Sequence, residues 1–176
     1  MKDKYNKLML DTYDKCFKVK CEMIYLVSNL KNNRSSIYKV PVSEYSDKEY
    51  DIFKYLVNFR IKSYMDIVYC NFLIKLSRGY LRVLYYKFLD MYDLQYKRIY
   101  DCYESVSYKK NNNKNKNKYV NKYSKELIDK YNYINGLFKV IFKNINILIR
   151  INNLMLINNK YDNIDNYYDD VVKLIV

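Results

Sequence analysis

The carboxylate pairs Asp90/Asp93 and Asp169/Asp170 have the residue type for general acid–base work. That chemistry requires burial or a close charged neighbour to shift one carboxyl toward neutrality, and a solvated charged face explains both pairs more simply. The chain has no histidine, which removes nucleophile–base triads, HExxH zinc sites and the usual Cys/His zinc sets. Cys16, Cys21, Cys70 and Cys102 lack a short paired spacing and are expected to be buried, reduced thiols of a cytosolic or nuclear protein. Gly79 and Gly136 are the only glycines and both fall inside helical patterns, so no glycine-rich loop is present to cradle a phosphate. No catalytic residue, cofactor or metal ligand is assigned, and a non-enzymatic protein is expected.

Binding chemistry is the other option. The stretch "YYKFLDMYDLQYKRIYDCY" from Tyr85 to Tyr103 interleaves tyrosine with lysine, a pattern that stacks bases and meets phosphates in single-strand binders. Tyrosine also joins a large apolar area to a polar tip and is frequent in protein interfaces, and at helical spacing the packing reading is preferred. The net charge is +13, and residues 109–122 hold six lysines and no acid. Such charge draws a protein toward nucleic acid, an anionic membrane or an acidic partner. It is matched by a bland cause: abundant Lys, Asn, Ile and Tyr and the absence of alanine fit an A+T-rich coding sequence.

The elements that would position these residues are mainly helical. Tyr5, Leu8, Met9, Thr12, Tyr13, Cys16, Met23 and Val27 recur at helical spacing and predict a helix over residues 4–30. Pro41 and the lack of any period make residues 31–46 a loop, and Ser46 with Glu49 forms a capping-box pattern that opens a second helix. The long proline-free run that follows should break near residues 63–66, leaving a third helix over 66–105. Residues 108–122 read as a flexible Lys/Asn-rich insertion, after which Ser124 caps a fourth helix. The segment "INILIRINNLMLI" reads either as a helical extension or as two short β-branched strands turning at Asn152-Asn153, and the small hairpin is the preferred expectation. A short closing helix carrying Val171, Val172, Leu174 and Ile175 would follow it. The expected fold is thus a mainly α bundle of four to five helices over residues 1–145, with a short appendage over 146–176. The N-terminus has no apolar leader, and the apolar stretch from Gly136 to Ile157 is interrupted by Lys139, Lys143 and Arg150, so no signal and no membrane span are expected.

The third helix has two apolar sides. Leu73, Leu76, Tyr80, Leu84, Phe88 and Met91 share one, while Leu81, Tyr85, Leu89, Tyr92 and Tyr96 form another, with Lys75, Arg78, Arg82, Asp90 and Asp93 mainly opposite the first. Two apolar sides require two neighbours.

Within this helix, Gly79-Tyr80-Leu81-Arg82, four further residues and Lys87-Phe88 resemble the central helix of subunit four of the GINS complex, the four-subunit assembly that activates the eukaryotic replicative helicase. The polar run followed by Ser124-Lys125-Glu126-Leu127, and the ending "VVKLIV", resemble later parts of the same family in order. Leu84 and Leu89 depart from an Arg and a Glu usual there. The resemblance covers mainly residues 66–145 and implies a non-catalytic, nuclear subunit of a heterotetramer that contacts sister subunits and the helicase. Tyr80 and Leu84 would belong to the core, Arg82 and Lys87 (with Arg78 nearby) to polar contacts, and Leu81, Tyr85, Leu89, Tyr92 and Tyr96 to the partner interface. The rival readings are a Bcl-2-like helical interaction bundle, and a cytoplasmic or nuclear protein that binds nucleic acid directly.

Overall fold

The computed structural model describes residues 3–31, 48–107, 113–158 and 173, with side chains described for residues 4–26, 51–97, 125–158 and 173. Four helices make up the fold: α1 (Asp3–Lys31), α2 (Lys48–Asn58), α3 (Tyr64–Ser107) and α4 (Asn113–Asn158). Asn71 meets Asn153, Tyr85 meets Asn135, and Tyr92 meets Tyr131, so α4 descends as α3 rises. Against α1 the pairs are Tyr5 with Asn152, Asp11 with Asn144, and Glu22 with Lys130, again antiparallel. The end of α2 lies beside Tyr5, Asn6 and Met9 of α1 and beside Tyr69 of α3. The result is an up-down-up-down bundle in which α4 packs along both α1 and α3 while α2 fills the fourth corner.

The helix lengths are unequal, and that shapes the surface. At 1.5 Å per residue, α3 and α4 each run for more than about 60 Å, whereas α2 covers only about 16 Å. One continuous core of Met9, Cys16, Val19, Met23, Phe53, Ile74, Leu81, Phe88, Phe138, Ile145, Leu148 and Met155 runs through the bundle.

The expected break between the second and third helices is present, and its chemistry is local. Ser63 Oγ accepts from the Asp66 amide at 3.3 Å, and Asp66 Oδ2 accepts in return from the amides of Ser63 at 3.0 Å and Lys62 at 2.9 Å. This reciprocal cap satisfies amides that the first turn leaves without partners. Those backbone hydrogen bonds hold the Asp66 carboxyl below its ordinary pKa.

Two sequence expectations are corrected. Residues 145–157 continue α4 and form no hairpin, because Ile145, Leu148, Ile149, Asn152 and Met155 are buried at helical spacing. Burial along one face outweighs the strand preference of the β-branched residues, and α4 passes residue 145 without a break. The Lys/Asn-rich run is also partly helical, since α4 starts at Asn113: once the packed part of a helix exists, each added residue requires only propagation and no new nucleus. The loop with Pro41, the Ser46 cap, residues 108–112 and the closing helix with Val171 and Leu174 lie outside the described residues.

The caps and glycines make this fold testable by equilibrium urea unfolding. Ser63→Ala should lower stability by about 1 kcal/mol through the lost cap. Gly136→Ala should raise it by about 0.5–1 kcal/mol, because a Cβ at Gly136 meets nothing within 4 Å in the middle of α4.

Candidate interaction surfaces of the third helix

Of the residues expected to face a partner, Tyr85 and Tyr92 face α4 of the same chain. Leu81 is fully buried, and Leu89 packs against the core. Tyr85 donates a hydrogen bond to Asn135 Oδ1 at 2.9 Å and sits edge-on to Phe138 with ring centroids 5.0 Å apart. Tyr92 lies 4.4 Å from Tyr131, which stacks on Phe88 at 5.5 Å, and Tyr96 follows Tyr92 at 6.2 Å. Burial first, then the neighbouring phenol of Tyr131, pushes Tyr85 and Tyr92 above the ordinary tyrosine pKa, so both stay neutral. This is an intramolecular aromatic seam, with the Tyr85 hydroxyl and the rings of Tyr85, Tyr92 and Phe88 engaged within the protein.

The expected polar contacts divide. Arg82 is exposed, while Arg78 and Lys87 are half-buried at the margins of α3. Leu84, Phe88 and Met91 are in the core as expected, Leu73 and Tyr80 are half-buried, and Leu76 turns outward. Asp90 and Asp93 are exposed, which leaves them without the burial that acid–base work requires.

Sequence reasoning missed a third side of α3. Met65, Tyr69, Phe72, Leu76, Val83 and Tyr86 lie along its outward face, with Met65 67%, Phe72 58%, Val83 55% and Tyr86 65% exposed. Gly79 completes a spacing of 4, 3, 4, 3, 4 and 3 residues, the alternation of a coiled-coil seam. The spacing was visible in the sequence. It was obscured because Lys75, Arg78, Arg82 and Asp90 lie among or beside the row, so that this side of the helix reads as the polar one.

At the lower end of the bundle three elements meet in a buried polar chain. Tyr5 donates to Asn152 Oδ1 at 3.1 Å, and its oxygen lies 3.4 Å from Cys70 Sγ. Burial pushes the Cys70 thiol up to about 11, with Tyr5 and Asn152 only partly opposing it. A thiol so protonated is a poor nucleophile. Cys16 is buried as expected, but Cys21 is exposed, a correction that follows from its place on the outer side of α1; the Cys102 side chain lies outside the described ones. Among the described residues no three His, Cys, Asp or Glu side chains converge as a metal-holding group. An open cleft of about 640 Å³ between the end of α2 and the start of α3 mixes Lys54, Arg60 and Lys62 with Asp51 and Asp66 and has no buried reactive group.

Higher up, Asp11 joins α1 to α4. Burial alone would raise its carboxyl, yet hydrogen bonds from Lys15 and Asn144 and the charges of Lys15 and Lys18 hold it below the ordinary 3.8. Further along α1, Lys130 pairs with Glu22 at 2.9 Å and lies 4.0 Å from the Tyr25 ring centre. The part of α4 from Lys125 to Asn158 is long and apolar enough to cross a membrane by length and composition, with mean hydropathy 1.4, and 44% of its most apolar window is buried in the bundle. The core helix of a soluble bundle meets the same description.

No protein family, curated protein or solved structure matches the chain. The class defined by the described residues is a helical bundle, and the geometry of its surfaces carries the functional argument.

Two measurements check the interior. In native labelling with a thiol reagent at mildly alkaline pH, Cys21 should react readily, whereas Cys70 and Cys16 should react only after denaturation. Because the folded-state pKa of Asp11 is depressed, its stabilising contribution is present above the unfolded value and is lost as pH falls through the folded one. Acid titration of the urea midpoint between about pH 5 and pH 2 should therefore show a loss that Asp11→Asn reduces.

Proposed function

We propose that the chain is a non-catalytic interaction protein that joins another protein through helix–helix contact. The observation that carries this reading is α3: α4 and the core cover its inner sides, and its outward side still presents a continuous apolar row. Monomeric proteins rarely leave so extended an apolar strip in water. The more specific form of the proposal is a GINS-like subunit of a helicase-associated complex in the nucleus. It is supported by Gly79-Tyr80-Leu81-Arg82 with Lys87-Phe88 and by Ser124-Lys125-Glu126-Leu127. In that form the partner contact moves from the Tyr85 side, which α4 occupies, to the outward side. The Bcl-2-like alternative has the same helical class but lacks this specific resemblance, and the direct nucleic-acid alternative is supported by the charge of +13.

Tagged protein purified from its native cells and analysed by native mass spectrometry should appear in a hetero-oligomer. Val83→Glu should deplete the partners while circular dichroism stays unchanged, because Val83 touches little within the chain. Tyr85→Ala should instead lower stability by about 2–4 kcal/mol as a core truncation. Recovery of the chain alone, with salt-sensitive binding to single-stranded DNA, would favour the nucleic-acid alternative and sink the proposal.

A further inference from the structure

The chemistry of the outward face narrows the partner. Between Asp66 and Asp90, α3 carries Lys75, Arg78, Arg82 and Lys87 and no acidic residue. Lys75 and Arg82 are exposed, and each immediately precedes a seam residue, Leu76 and Val83. They line one flank of the row, one heptad or about 10.5 Å apart. Neither forms an ion pair with the other described residues. Gly79 lies at the centre of the row, and a Cβ there would meet nothing within 4 Å. The middle of the seam is thus a place where a second backbone can come close.

Resting on the interaction reading above, we propose that this face docks a single amphipathic helix of another protein, with an apolar seam bordered by carboxylates that pair with Lys75 and Arg82. A heptad row on one helix fits one helix of a partner, because the alternation of three and four residues keeps two seams in register as they wind together. A second copy of this chain fits poorly. Antiparallel copies would set the Lys75/Arg82 flanks against each other, and parallel copies would set them against Leu73, Tyr80 and Lys87. An anionic membrane also fits poorly, since Asp90 continues the row at its upper end and Asp66 stands beside its lower end, where lipid phosphates would be repelled. An acidic helix is complementary to the cationic flank and gains specificity from it.

The test uses the purified full-length chain and two synthetic helical peptides with identical Leu/Ile heptad seams, one flanked by Glu and the other by Lys. Fluorescence anisotropy should show the Glu-flanked peptide binding at least about tenfold more tightly at low salt, with the difference shrinking as salt screens the flank. Lys75→Glu with Arg82→Glu should reverse the preference. Gly79→Leu should weaken binding at least about tenfold without lowering the thermal midpoint, because the added side chain is free of contacts inside the chain and blocks close approach. Three results overturn the proposal: equal binding of both peptides in the wild type and the charge-reversed variant; a homodimer by light scattering that Val83→Glu dissolves; or capture by phosphatidylserine vesicles that competes with the Glu-flanked peptide. If native partners co-purify but survive Val83→Glu and Lys75→Glu, this face is excluded while the interaction reading stands. Absence of any protein partner removes that reading instead.

Discussion

The register of α4 against α1 and α3 is the constraint on which the rest of the bundle depends. Two long apolar helices can slide by one turn, about 5.4 Å, with little change in the apolar area they bury. Asparagine side chains on α4 prevent that slippage. Asn135 meets Tyr85, Asn144 meets Asp11, Asn152 meets Tyr5, and Asn153 meets Asn71, each through a side-chain hydrogen bond between helices. Shifting α4 by a turn breaks all of these together, and each buried polar group left without a partner costs about 1–3 kcal/mol. The asparagines therefore contribute less to total stability than to the choice among alternative packings, as a single buried asparagine does in a coiled coil.

Fixing α4 decides which side of α3 is free. In the observed register Tyr85 and Phe88 interlock with Tyr131, Phe138 and Phe142, so the tyrosine-rich side is used inside the chain. α2 then stands at the remaining corner, but it is short and tied to the lower end by Tyr55 and Phe59 against Tyr69. Beyond Tyr69, which the end of α2 covers in part, the outward row of α3 is exposed. Packing within the bundle thus leaves the outward row exposed, with the cationic flank beside it.

Much of this was legible because helices announce themselves by periodicity. The spacing of Tyr5, Met9, Cys16 and Met23 marked α1 within a residue or two of its observed ends, and the excessive length of the proline-free run pointed to the break before α3. Periodicity failed where two signals conflict. In residues 145–157 the β-branched content and Asn152-Asn153 imitate a hairpin, although those two asparagines are the hydrogen-bonding positions that hold α4 to Tyr5 and Asn71. The site was harder to read than the fold for a related reason. Two apolar sides of α3 implied two neighbours, but spacing alone does not say whether a neighbour belongs to the same chain, and α4 proved to be the one facing Tyr85.

Compositional bias bears on this argument in a limited way. An A+T-rich coding sequence accounts for how many asparagines, lysines and tyrosines the chain has, but not for their phase along a helix. Asn144 and Asn152 fall on the buried side of α4, where the Asn144 amide nitrogen donates to Asp11 and the Asn152 amide oxygen accepts from Tyr5, both on α1. Lys75 and Arg82 fall on one flank of an apolar row, with no acid between Asp66 and Asp90 to neutralise them. A bias acting uniformly along the chain would scatter such residues over every side of the helices. Counts of these residue types are therefore weak evidence for function, whereas their positions on α3 and α4 carry structural information that the bias does not supply.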